Sequence, residues 1–215
     1  MGKMTVGALL LAGGRSRRMG EDKTLLPYEG GTLLSHAAAV LEGFEEKLLS
    51  VGDTGYTVPG WRTVPDIIPD RGPLGGIYSA LRCCHSDALL VLPCDLPCFP
   101  RWLAEYLASF AGEGWNAWAM RSRDGRLQPL CGVYTVACLP LLEQMLEERD
   151  GRISALLERA EAHILPAADT PFPDTVFCNI NTPQDYRSLK SAPAGRGRAA
   201  GPAARSAAEA NRRFA

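Results

Sequence analysis

Two stretches, TVGALLLA at residues 5–12 and DALLVLPCD at residues 87–95, are apolar at nearly every interior position. A strand with one face in water alternates apolar and polar residues, because successive side chains point to opposite faces. A short run without that alternation reads as a strand covered on both faces. Neither run approaches the ~18 residues of a membrane span. Such strands need helices on both sides of their sheet, and the rest of the sequence offers them.

Helical patterns fall between the strand-like runs. Residues 32–44 (TLLSHAAAVLEGF) read as a helix with Thr32 as N-cap and Gly43 near its end. Residues 72–84 (GPLGGIYSALRCC) and 100–110 (PRWLAEYLASF) each open on or next to a proline and continue with apolar residues at helical spacing. Residues 137–149, 152–160 and 182–190 complete the helices, the last with Thr182 as N-cap and Pro183 at its first position. Further strands are expected at 47–51 (KLLSV), 116–120 (NAWAM), 130–135 (LCGVYT) and 176–180 (VFCNI). Alternation of this kind predicts an α/β fold, a mostly parallel sheet between two helical layers. In such sheets ligands bind beyond the carboxyl ends of the strands.

The chain has 215 residues, 46% of them hydrophobic, and a net charge of −1, which excludes general binding to nucleic acid or to a membrane surface. The opening apolar run leads into glycines and arginines instead of a cleavage site, so it reads as a first strand, not an export signal. Seven cysteines, an odd number, fit a reducing cytosol. Cys94 and Cys98 are spaced poorly for zinc, and the thiols read as small buried side chains. From Ser191 the composition turns to Ala, Gly, Pro and Arg, with five arginines against Glu209. This tail, residues 191–215, is expected to be disordered, because it offers little apolar surface to bury. Residues 1–190 are expected to form the working domain.

The chemistry-bearing residues follow the strands. After residues 5–12 come Gly13 and Gly14, then Arg15, Arg17, Arg18 and Lys23. The stretch fits neither known phosphate pattern. Lys23 stands three residues beyond Gly20 where a P-loop needs Gly-Lys, and the adjacent Gly13 and Gly14 break G-x-G-x-x-G. The physics of a phosphate site is nonetheless present. Glycines allow close backbone approach, arginine forks match phosphate oxygens and lysine adds a point charge. Asp95 ends the second apolar run, and beside a triphosphate its natural partner is Mg²⁺. His36, His85 and His163 have no motif partners and read as structural.

Four blocks together resemble the molybdenum cofactor guanylyltransferase family of MobA-like nucleotidyltransferases. They are LAGGRSRRMGEDK (residues 11–23), VPDIIPDRGPLGGI (64–77), LPCDLP (92–97) and NINTPQD (179–185), in the family's order and spacing. The first block alone marks the wider nucleotidyltransferase superfamily. The resemblance implies a Rossmann-like, glycosyltransferase-A-like three-layer α/β/α sandwich. It implies that Leu11, Ala12, Gly13 and Gly14 surround the guanine nucleotide through backbone groups. Lys23 and Arg18 would hold GTP phosphates as catalytic cations, Asp66 would bind the nucleotide, and Asp95 would be nucleotide-binding, catalytic and the ligand of Mg²⁺. Asn179 and Asn181 would line the pterin pocket. The implied reaction moves GMP from GTP to the phosphate of molybdopterin or its molybdenum-loaded form, releasing pyrophosphate. The implied partners are those two substrates, with transient contact to a molybdoenzyme or a cofactor-insertion protein. A cytoplasmic monomer is expected, without nucleic acid or membrane. Where the family often carries asparagine after the second strand, this chain has Gly52 and Asp53. The alternatives are a CTP-dependent cytidylyltransferase, although such enzymes tend to carry Ala-Gly in place of Gly13-Gly14, another small nucleotidyltransferase, and, behind these, a non-catalytic protein that delivers the cofactor.

Overall fold

The computed structural model describes residues 4–13, 22–52 and 54–191. The elements, in chain order, begin with β1 (Val6–Leu11), the short hairpin β2 (Pro27–Tyr28) and β3 (Gly31–Thr32), and α1 (Leu33–Val40). Then follow β4 (Lys47–Ser50), β5 (Arg62–Val64), α2 (Gly72–Cys83), β6 (Ala88–Pro93) and α3 (Arg101–Ala108). The second half contributes β7 (Ala117–Arg121), β8 (Leu127–Thr135), α4 (Leu139–Glu147), α5 (Ile153–Arg159), β9 (His163–Pro166) and α6 (Pro183–Ser191).

The main sheet has the order β5-β4-β1-β6-β8-β7-β9. Its pairs are parallel except for β8, which runs antiparallel to both β6 and β7. The apolar run of β1 is divided between two cores, as the pleat requires. Ala8, Leu10 and Ala12 pack with α1 and α3 through Leu34, Ala37, Leu103 and Leu107. Leu9 and Leu11 pack on the opposite side with α2, α4 and α5 through Leu74, Ile77, Leu142 and Leu156. This is the expected three-layer sandwich. β1 has β4 on one side and β6 on the other. The chain therefore changes direction across the sheet at β1, and a crevice opens beyond its carboxyl end.

Local signals hold at the helix starts. Thr32 and Ser35 form a reciprocal capping box at α1, and Pro73 lies in the first turn of α2. The strand expected at 176–180 is not formed. Asp174–Phe177 is a one-turn helix, closed by the Cys178 N–H donating to the Thr175 carbonyl at 3.2 Å. Val176 and Phe177 are neighbours in sequence yet both buried in the same core, which a turn permits and a pleated strand does not. The last strand of the sheet is β9 instead. It pairs with β7 from Trp118 opposite His163 to Arg121 opposite Pro166. The edge strand β5 and the β2–β3 hairpin are likewise too short to show in the sequence pattern. No helix of the described residues is long and apolar enough to cross a membrane.

Candidate active site

Sheet hydrogen bonding runs out just past β1. The Ala12 N–H donates to the Ser50 carbonyl at 2.8 Å, and the Cys94 N–H donates to the Leu11 carbonyl at 3.1 Å. Gly13 comes next, and its lack of a side chain serves the protein itself. A Cβ there would lie 3.0 Å from the Gly52 nitrogen and 3.1 Å from the Val51 carbonyl carbon. Gly52 turns the opposite chain away with φ +55°.

The chain re-enters the described residues at Asp22, whose carboxylate accepts the Thr24 N–H at 3.0 Å and so caps the one-turn helix Lys23–Leu25. Thr24 is buried, with its hydroxyl 3.5 Å from the Ala12 carbonyl and 3.7 Å from the Cys94 sulfur. That contact seats the turn on the ends of β1 and β6 and sends Lys23 toward Asp95. The Lys23 Nζ donates to Asp95 Oδ2 at 2.5 Å and to Asn181 Oδ1 at 3.3 Å. Asp95 is 6% exposed. Its backbone carbonyl accepts the Ile180 N–H at 2.9 Å, which clamps the Asn179–Asn181 segment against the end of β6. Asp185 then fastens the start of α6. Its Oδ2 accepts the N–H groups of Asn181 and Thr182 at 3.0 and 2.8 Å, bonds that hold its carboxyl below the usual range.

The Asp95 charge also reaches the thiols beside it. Burial pushes the Cys94 thiol up to about 11, with the Asp95 charge adding to the effect. Burial, again with Asp95, raises the Cys131 thiol further. Both stay neutral near pH 7, and neither is an activated nucleophile. Among the described residues no group of three or more His, Cys, Asp or Glu side chains could cage a metal. Asp95 Oδ1, however, is buried and meets no hydrogen-bond donor among them. One carboxylate with a spare oxygen suits Mg²⁺, which takes few protein ligands and fills its shell with phosphate oxygens and water. The residues thus fit a cation that arrives with phosphates.

Beside this pair opens a cleft of about 1050 Å³, lined among others by Tyr28, Ser122, Gln128, Asn179, Asn181 and Asp185. Ser122 closes the β7–β8 turn. Its hydroxyl donates to Asp124 at 2.6 Å and accepts from the Gln128 amide at 3.2 Å. Burial, aided by Glu29, pushes the Tyr28 phenol up to about 12, so it remains a donor. His36 Nε2 lies 2.9 Å from the Pro97 carbonyl and its ring meets Tyr28 edge-on at 4.7 Å, a structural role.

A family model for the MobA-like NTP transferase domain matches residues 8–165. The chain belongs to this family. It is therefore a nucleotidyltransferase. A probable molybdenum cofactor guanylyltransferase of Geobacillus sp. is 31% identical over 88% of this chain and 99% of its own. One of Pelotomaculum thermopropionicum is 36% identical over 82% of this chain and 88% of its own. Among solved structures, the molybdopterin-guanine dinucleotide biosynthesis protein A of Archaeoglobus fulgidus superposes with a TM-score of 0.71 at 25% identity, over 86% and 96% of the two chains.

Of the residues expected at the site of this MobA-like chain, Lys23, Asp95 and Asn181 come into direct contact, and Asn179 joins Asn181 in the cleft. Leu11 and Ala12 are buried at the end of β1, with the Leu11 carbonyl and the Ala12 N–H already taken by the sheet. Asp66 follows β5 on the same edge of the sheet, three strand spacings from β6, or roughly 14 Å. The Ile67 N–H beside it donates to the hydroxyl of buried Ser79 at 2.8 Å. Gly14, Arg15, Arg17, Arg18 and Asp53 lie outside the described residues. Asn179–Asn181 do not follow a strand as expected. They reach the site through the bond of Ile180 to Asp95. Tyr28, Ser122 and Gln128 were not singled out by the sequence. Only Gly125 in the SRDGR turn hints that two strand ends meet there.

Proposed function

We propose that this chain transfers GMP from GTP to the phosphate of molybdopterin or of its molybdenum-loaded form, with release of pyrophosphate. The observation that carries the reading is the position of the Lys23 Nζ, within bonding distance of both Asp95 and Asn181. One cation stands between the strand ends, where a triphosphate belongs in this architecture, and the cleft, which has room for an acceptor.

An oxygen of the acceptor phosphate attacks the α-phosphorus of GTP. The bond from that phosphorus to the bridging oxygen breaks, and its electron pair leaves with pyrophosphate. The attacking oxygen is already ionised near neutral pH, so no general base is required. The protein aligns two anions and offsets the charge that grows on the leaving group. Lys23 and Arg18 supply the positive charge that offsets it. Leu11, Ala12, Gly13 and Gly14 border the nucleotide, and Asp66 holds its far side. Asn179 and Asn181 receive the pterin. Asp95 would hold Mg²⁺, which when bound supplies further positive charge to the phosphates. Residues 1–190 form the catalytic domain of a cytoplasmic monomer, and 191–215 an appendage to it.

The test is incubation with each of the four NTPs, Mg²⁺ and molybdopterin, scored by pyrophosphate release. Release that requires GTP and the acceptor supports the reading. Release with CTP instead, or none with any nucleotide, refutes it.

A further inference from the structure

Asp95 already has a cation. The Lys23 ammonium sits on Oδ2, and among the described residues it is the only positive group within ion-pair distance of that carboxylate. Oδ1 is buried and without a donor among the described residues. The carboxylate is therefore neutralised, yet half of its acceptor capacity is unused. A divalent cation approaching Oδ1 would find a charge already compensated and a like charge beside it, and both effects oppose binding. Lys23 is not locked in place. Its side chain keeps 22% exposure, on a four-carbon stem springing from a single helical turn. Asn181 Oδ1, at 3.3 Å, is its other acceptor and is neutral. A triphosphate is a far stronger anion than either.

We propose that the Lys23 ammonium holds the place of the divalent cation at Asp95 in the nucleotide-free protein. Asp95 takes a metal only once a triphosphate has drawn that ammonium away. The inference rests on the reading of Lys23 and Asp95 given under Proposed function and deepens it. Metal and nucleotide then enter together, and the free protein is silent toward the cation.

Mn²⁺ is the probe, and the melting temperature of the full chain is the readout, so no turnover is involved. A ligand at about ten times its Kd raises the melting temperature of a chain this size by roughly 3–6 °C. With Mn²⁺ and no nucleotide, the wild type should move by less than about 1 °C, and Lys23→Met by the larger amount. The double variant Lys23→Met, Asp95→Asn should again be silent. With GTP present, Mn²⁺ should stabilise the wild type beyond GTP alone, and Asp95→Asn should lose that increment. Lys23→Gln, which keeps a polar end, replaces Lys23→Met should the latter not fold. Mn²⁺ resonance on the nucleotide-free wild type gives the same answer without any variant, the expected spectrum being that of the free ion. Equal responses of wild type and Lys23 variants to Mn²⁺ alone, or a bound spectrum for the wild type, overturn the proposal. No gain from Mn²⁺ even with GTP would remove the reading of Asp95 as the metal ligand, and the proposal with it.

Discussion

Gly13→Ala should damage the site from within the protein. The added Cβ would meet two backbone atoms, at 3.0 Å from the Gly52 nitrogen and 3.1 Å from the Val51 carbonyl carbon. Comfortable separation is about 3.5 Å or more, so each contact is short by roughly half an ångström. Neither side yields easily. Ala12 is tied to Ser50 at 2.8 Å, Thr54 closes back on Val51 at 3.0 Å, and Gly52 stands at φ +55°. Overpacking of this kind costs about 1–3 kcal/mol, or roughly 2–12 °C of melting temperature for a chain of this size. The strand ends of β1 and β4 must part, which tilts the start of the glycine loop and should raise KM for GTP about tenfold or more. Gly55→Ala is the control. Nothing lies within 4 Å of a Cβ there and φ is not positive, so it should be neutral or stabilise by up to about 1 kcal/mol. Thermal melting and pyrophosphate release by both variants decide the matter. Melting temperatures within 1 °C of each other would show that the Gly13 contact is not tight, and that its conformational freedom or a ligand explains the glycine.

Three further outcomes are expected. Asp95→Asn should keep the fold, since the residue lies past the end of β6, and lower turnover by about 10²-fold or more; a near-normal rate at saturating Mg²⁺ would contradict this. Glu46 accepts from the Ser86 hydroxyl, from the N–H groups of His85 and Ser86 and from Arg62. Burial alone would raise its carboxyl, but these bonds overcome that and hold it at about 2 against an ordinary 4.5. Its folded value is depressed, so its stabilisation is present above pH 4.5 and fades as the pH falls toward 2. At about 1.4 kcal/mol per unit the full effect is about 3 kcal/mol. Melting curves between pH 6 and 3 should therefore fall more steeply for the wild type than for Glu46→Gln, and parallel curves would refute the assignment. Deleting residues 191–215 should alter neither melting temperature nor GTP-dependent turnover, and a clear loss of either would give the tail a part in folding or catalysis.

Much of this protein is written locally. The unbroken apolar runs of β1 and β6 demand cover on both faces, which is a statement about single strands and survives intact in the sandwich. Thr32 and Pro73 mark helix starts through bonds and dihedrals confined to a few residues. Gly13, Lys23 and Asp95 stand out because their chemistry is unusual in the loops that follow buried strands, and the motif blocks extend that to a family. What the sequence does not carry is any relation set by packing between distant segments. Val176 and Phe177 look like a strand until both turn into one core, and HILP looks like nothing until β7 offers it a partner. Asn181 meets Lys23 across 158 positions of chain, through a single bond of Ile180 to Asp95 that no local pattern encodes. Gly13 is required by the backbone of Val51 and Gly52, which approaches only after β1 and β4 have paired. The types of residue at the site follow from chemistry near each strand end, whereas their distances and partners follow from the order of strands, because only the closed sheet brings those ends together.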